Sequence, residues 1–230
     1  MLKQLLRANS ERFHPVVPFD PKQDRLISVD LGAGNKQLTK EVTGDIGQFS
    51  NYFEELLGSN GALYAIGGYA EHRMVYANSN VFDATEKGLP RRFHIGVDIW
   101  GKALTPVHAV MEGRVHSFAN NNRVGDYGAT IILSHELRNS SFHSLYGHLS
   151  LDSLEGLYEG KAIAGCERIA SLGTPKENGN WPPHLHFQII ENIGDWRGDY
   201  PGVCAIEEKD RWLANSPDPD LILQLNRFIV

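Results

Sequence analysis

From Phe93 onward, runs of strand length follow one another with turn signals between them, and this spacing points to an antiparallel sheet. The runs are VHAVMEGRVHSF, GATIILSH, FHSLYGHLS, KAIAGCERIASLG and HLHFQII. Glu112-Gly113, Gly125-Asp126, Glu159-Gly160, Gly165 and Asn178-Gly179 separate them, each bringing the glycine a tight turn favours. With 23 glycines and 11 prolines in 230 residues, the chain has enough punctuation for many short strands. The fold class expected is mainly β. A compact antiparallel β domain spans 86–192, with a mixed helical N-terminal extension over 1–85 and a C-terminal tail, 193–230, packed on the core.

The extension carries one periodic element. Val42, Ile46, Phe49, Phe53 and Leu56 step by 4, 3, 4 and 3, which predicts a helix over Thr39–Leu57 with one face on the core. Gly58 is placed to end it. Residues 1–30, with Pro15, Pro18 and Pro21, read as irregular. The GAGNK stretch, Gly32–Lys36, lacks both the Walker and the G-x-G-x-x-G spacing and reads as a turn. ALYAIGGYAE and RMVYA read as strands around a turn, followed by Asn78-Ser79-Asn80. The tail, ending in SPDPDLILQL, reads as loop plus a short helix.

Charge and hydropathy exclude several function classes. There are 22 Lys and Arg against 28 Asp and Glu, a formal net charge of −6, and no long basic run, so nucleic acid is not an expected partner. No stretch approaches the ~20 apolar residues of a membrane helix. The first twenty residues hold only short apolar pairs such as Leu5-Leu6 and no secretory core segment, so the expected location is cytoplasmic, with export by another route left open. Cys166 and Cys204 fit no metal or redox spacing and read as free thiols.

The chemistry lies among the ten histidines. In a strand alternate side chains share a face, so His94, Gly96 and Asp98 point one way and Ile95, Val97 and Ile99 the other. The same rule puts His184 and His186 on one face and Leu185 and Phe187 on the other. His148 closes a further apolar run, in Tyr146-Gly147-His148. Each element alone has a bland reading as a solvated or structural histidine. Together, His94, Asp98 and one histidine of the later pair make three N/O ligands, a set that suits Zn²⁺ with an open fourth position. Two imidazoles remain for proton transfer. His14, His72, His108, His116, His135 and His143 show no comparable pairing. His135-Glu136 begins like H-E-x-x-H, but Asn139 stands at the second histidine position and the run is a strand.

In these elements the sequence resembles the M23 family of zinc metallopeptidases, of the lysostaphin and LytM type. The resemblance rests on H-x-G-x-D at His94–Asp98, Y-x-H-L-S at Tyr146–Ser150 and H-L-H-F at His184–Phe187, in order, over roughly residues 90–192. TPVHAVMEGRV, GDYGATIILSH and the stretch Gly160–Gly173 resemble the connecting strands. It implies an M23/LytM-like antiparallel β fold with the metal in a groove. It implies that His94, Asp98 and His186 bind Zn²⁺ and that His148 and His184 are the catalytic pair. The substrate implied is a peptide or peptidoglycan-like chain.

One loop departs from the family. Its usual Gly/Ser/Thr-rich stretch is here GTPKENGNWPPHLHF, with Trp181, Pro182 and Pro183 abutting His184. That loop is expected to wall the groove, with Trp181 either lining it or packed in the core. The W-P-P-H-L-H-F form and the SPDPDLIL tail resemble a subgroup of M23-like domains fused to class III aminotransferase and kinase-like domains. The function expected is a zinc-dependent peptidase or amidase. The alternative is a metal-binding recognition or regulatory module that does not cleave peptides.

Overall fold

Strand β5 (Val97–Trp100) is buried on both faces and has a strand on either side, which makes it the seam of the molecule. The computed structural model describes residues 1–78, Phe82 and 89–230. On one side of β5 lies β12 (His184–Ile190), followed by β9 (Ser140–Leu149), β8 (Gly128–Leu137), β7 (Gly113–Asn121) and the short β10 (Ala162–Ile163), all antiparallel. These are the runs that the turn spacing marks off. On the other side of β5 lie β2 (Tyr64–Gly67) and then β1 (Leu26–Val29), completing an eight-stranded sheet. Two small sheets flank it. One pairs β6 (Pro106–His108) with β11 (Arg168–Ser171). The other runs β13 (Val203–Ala205), β4 (Arg91–His94), β3 (Glu71–His72).

The N-terminal segment is thus woven into the main sheet through β1 and β2. These two strands are parallel, so the chain between them must cross over. The crossover carries α2 (Lys40–Gly44) and α3 (Ile46–Asn60), where the periodicity predicts one helix. Asp45 breaks it: its backbone is extended and its carboxylate accepts the Gln48 N–H at 2.9 Å, capping α3. Helix α3 runs past Gly58 to Gly61, whose left-handed backbone (φ 56°) returns an N–H to Gly58 and Leu57. Phe49 and Phe53 bury the face that the period identifies.

Three other expectations are corrected. Residues 2–8 form a helix, α1 (Leu2–Ala8), because Leu2 and Leu6, four apart, bury one stripe. RMVYA is not a strand. Of the stretch after β2, Glu71–His72 pairs, and Val75–Asn78 is a 3₁₀ turn that packs Val75 and Tyr76 inward. Ser79 and Asn80 of the expected turn lie outside the described residues, as does the 85/86 boundary. The tail forms α4 (Lys209–Asn215) and α5 (Asp220–Leu223) besides β13. Both thiols are free, Cys166 exposed and Cys204 buried. No helix among the described residues is long and apolar enough to cross a membrane.

The core of the β8–β9 region holds a polar network that the sequence does not announce. His135 is buried; its Nδ1–H donates to the Glu112 carbonyl (2.9 Å), and Nε2 lies 2.6 Å from Ser144 Oγ. Burial lowers its pKa to about 4, against an ordinary value near 6.5. Between these values the unfolded chain binds the proton and the native chain does not, so acidification through that window lowers stability. The urea midpoint should fall from pH 7 to pH 5, with His135 contributing on the order of 2 kcal/mol. His135→Gln should shrink that pH difference, and an unchanged difference would assign the acid sensitivity elsewhere.

Candidate active site

The H-x-G-x-D segment is not one strand. At Ile95-Gly96 the chain leaves the three-stranded sheet of β4 and enters the eight-stranded sheet as β5. Ile95 accordingly packs with Phe93 and Cys204, whereas Val97 and Ile99 join the main core. His94 and Asp98 nonetheless converge. Register in the main sheet puts His186 directly opposite Asp98 and His184 opposite Trp100. Gly96 makes this convergence possible: a Cβ there would lie 2.5 Å from His186 Cε1. Gly96→Ala should therefore push the His186 ring aside and weaken any ligand held by it at least tenfold. A variant that folds and binds as the parent does would refute that.

His94, Asp98 and His186 are all buried and present three ligand atoms to one point. His94 Nε2 lies 3.0 Å from His186 Nδ1 and 3.3 Å from Asp98 Oδ1, and His186 Nδ1 lies 3.1 Å from Asp98 Oδ1. Ligands on a tetrahedral zinc with bonds of about 2.0–2.1 Å stand about 3.3 Å apart. The outer partners set the tautomers. His94 Nδ1–H donates to the Gly68 carbonyl at 3.1 Å, leaving Nε2 an acceptor. Gln188 gives its NH₂ to Pro201 O (3.2 Å) and Ser216 Oγ (2.9 Å), which aims its Oε1 at His186 Nε2–H (3.0 Å). His186 Nδ1 is thereby also an acceptor. Two imidazole lone pairs and a carboxylate facing one another call for a cation between them, so the donor set fits a zinc-type metal. Burial, and after it the neighbouring Arg73, lowers the His94 pKa to about 4, which keeps the ring neutral. Burial would raise Asp98, but His94 and Arg73 override it and hold the carboxyl well below its usual range.

His148 and His184 stand beside this triad with ring centroids 4.0 Å apart. Each donates Nδ1–H to a backbone carbonyl, His148 to Asn178 and His184 to Pro182, both at 2.8 Å. Each therefore presents Nε2 as an acceptor. Burial lowers His184 to about 4 and, with His184 adding to it, takes His148 well below the usual imidazole range. His148 has a left-handed backbone, φ 62°, held by its N–H to Tyr127 O (2.8 Å) and its carbonyl from Gly173 N–H (2.9 Å). A stacked column supports the pair: Phe53 of α3 on Trp100 (4.0 Å, 9°), Trp100 on His184 (3.9 Å, 17°), and His184 against His148.

Both sets open into a cavity of about 270 Å³ lined by Asp98, His148, His184 and His186. Tyr76, Phe82, Tyr127, Trp181 and Trp196 supply aromatic wall. Trp181 satisfies both readings at once, because it lines the cavity and also packs edge-on against Phe49 and Tyr76. Sequence reasoning missed Arg73, Gln188 and the Trp100 column. It also found no carboxylate base, whereas Asp126 and Asp199 line the cavity, both with pKa raised by burial. Only Gln188 had a legible signal, as the next member of the His184, His186 face.

Residues 92–196 match the model of peptidase family M23. That stretch contains His94, Asp98, His148, His184 and His186. No curated protein matches the chain. Among solved structures it is similar to the protein titled LytU, with 26% identity over 44% of this chain and 65% of that one, at a TM-score of 0.36. The catalytic domain of lysostaphin from Staphylococcus simulans is 20% identical over 69% of this chain and 96% of that one, at 0.43. A zinc-containing peptidase from Vibrio cholerae is 25% identical over 43% of this chain, at 0.34, and this chain spans 27% of its length.

Proposed function

We propose that this chain is a zinc-dependent peptidase or amidase acting on a short peptide, of which a peptidoglycan peptide is one source. One observation carries the reading: three converging lone-pair donors and two neutral imidazoles, each with Nε2 available, share one cavity. The M23 match over 92–196 supports it. His94 Nε2, Asp98 Oδ1 and His186 Nδ1 would hold the metal. A zinc ion supplies Lewis-acid polarisation of a carbonyl and acidifies a water to a pKa near ~7. The protein does the proton work. One of His148 and His184 accepts a proton at Nε2 from the attacking water, and a protonated Nε2 returns it to the leaving amine or holds the developing oxyanion. The fixed Nδ1–H bonds keep both rings in the required tautomer.

The aromatic wall, with Trp181 stiffened by Pro182 and Pro183, suits a substrate threaded past side chains rather than an open glycine-rich strand. The likeness to M23-like domains fused to class III aminotransferases, carried by WPPHLHF and SPDPDLIL, belongs to this same proposal about the substrate. A peptide library incubated with the zinc-loaded chain, with and without chelator, tests it. Chelator-sensitive cleavage is expected. A loaded protein that cleaves nothing would favour the recognition module.

A further inference from the structure

Two outer partners of the triad come from residues 67–76, ahead of the family-matching stretch. Gly68 supplies the carbonyl that orients His94. Arg73 supplies the cation that meets Asp98: its Nη1 donates to Asp98 Oδ2 while Oδ1 faces the two histidine nitrogens. Arg73 is 1% exposed and is anchored from behind. Its Nε donates to Glu71 Oε2 at 2.6 Å and its Nη1 to Tyr76 Oη at 3.0 Å. Glu71 is tied in turn by the Leu31 N–H at 2.8 Å. The space is built for this guanidinium. Gly67 pairs with Asp98 across the sheet, and a Cβ at Gly67 would come within 3.0 Å of Arg73 Nη2.

We infer that Arg73 is a positioning residue of the metal centre, and that the segment 67–76 is a working part of that centre rather than a cover over it. The inference rests on the zinc reading of His94, Asp98 and His186. A carboxylate with a free second oxygen can swing or bind a cation through both oxygens. Arg73 occupies Oδ2 and leaves Oδ1 alone toward the histidines. Its planar fork meets Glu71 and Asp98 through two different nitrogens in a fixed geometry, which the single point charge of a lysine ammonium does not reproduce. Glu71 balances its charge, so the set Glu71, Arg73, Asp98 keeps one net negative charge for a divalent ion beside His94 and His186. A purely structural ion pair joining β3 to β5 would need the same contacts, but it would not govern metal affinity.

The test uses the full chain and zinc alone. Zinc affinity is measured by competition with a chromogenic chelator, beside the melting temperature and the visible spectrum of the cobalt(II)-substituted protein. Arg73→Lys and Arg73→Met should bind zinc 10–100-fold more weakly, with altered cobalt bands, and Glu71→Gln should weaken it in the same direction by less. If Arg73→Met does not fold, Arg73→Lys and Glu71→Gln decide. A folded Arg73→Lys with parental zinc affinity and cobalt spectrum overturns the inference, as does a loss of melting temperature alone. A parent chain that binds no zinc overturns the metal reading and this role together. Parental binding with unaffected variants overturns the role of Arg73 only.

Discussion

His186→Ala and Asp98→Ala are each expected to retain no stoichiometric zinc, where the parent chain is expected to hold about one ion per chain. The argument is geometric. Three ligand atoms lie 3.0–3.3 Å apart in a buried site, and each is oriented by a partner of its own. Two ligands do not close a site around zinc at this spacing, and His148 and His184, although they line the same cavity, do not belong to the converging set. The two variants differ in their side effects. Asp98→Ala takes one of two carboxylate partners from the buried Arg73 and leaves it Glu71 and Tyr76, and losing a hydrogen bond to a charged group costs about 1.5–3 kcal/mol, so this variant should also melt earlier. His186→Ala leaves the neutral Gln188 Oε1 without its donor, at about 1–3 kcal/mol. Elemental analysis on folded preparations measures the first effect and calorimetry the second. Undiminished zinc in both variants would remove these residues from the ligand set.

His148→Ala and His184→Ala should keep the zinc and lose turnover by ~10²–10⁴-fold each. Neither ring takes part in the converging triad, and both are neutral bases at pH 7 with Nδ1–H fixed on a carbonyl. The double variant should lose less than the product of the single losses, because the two rings, tilted with centroids 4.0 Å apart, would serve one transition state. His184→Ala should be the more disruptive, since it empties the middle of the Phe53–Trp100–His184–His148 column and frees His148 on that side. Zinc content and turnover must come from the same preparations, on a substrate found by library cleavage. Zinc lost from His148→Ala, or near-parental turnover in both single variants, would refute this division of labour.

Much of the candidate site was legible because its information is local. Two histidines two apart on an apolar strand present one face whatever the strand pairs with, and His184 and His186 do so on β12. His94 and Asp98 reach one face by a route the alternation rule did not anticipate. The chain changes sheet at Gly96, and Ile95 buries itself in a different cluster from Val97. The helical period over Val42–Leu56 survived in the same way, although Asp45 divides the segment into two helices. Its short side chain caps a new helix start, and a side-chain cap outweighs an apolar period that runs through it.

The sequence by itself determined the residue types of the candidate site, their strand spacing, the turn-punctuated antiparallel sheet and the helical face carrying Phe49 and Phe53. These are properties of residues two to four apart, and side-chain periodicity records them. Only the tertiary structure decided that β1 and β2 extend the main sheet, that Phe53 and Trp100 back the histidine pair, and that Arg73 meets Asp98. Arg73 stands 25 residues from Asp98, and His94 stands 92 from His186. Contacts at such separations are set by which strands pair and in what register. A buried arginine has no period of its own, so nothing in RMVYA distinguished it from a solvated one until the sheet closed around it.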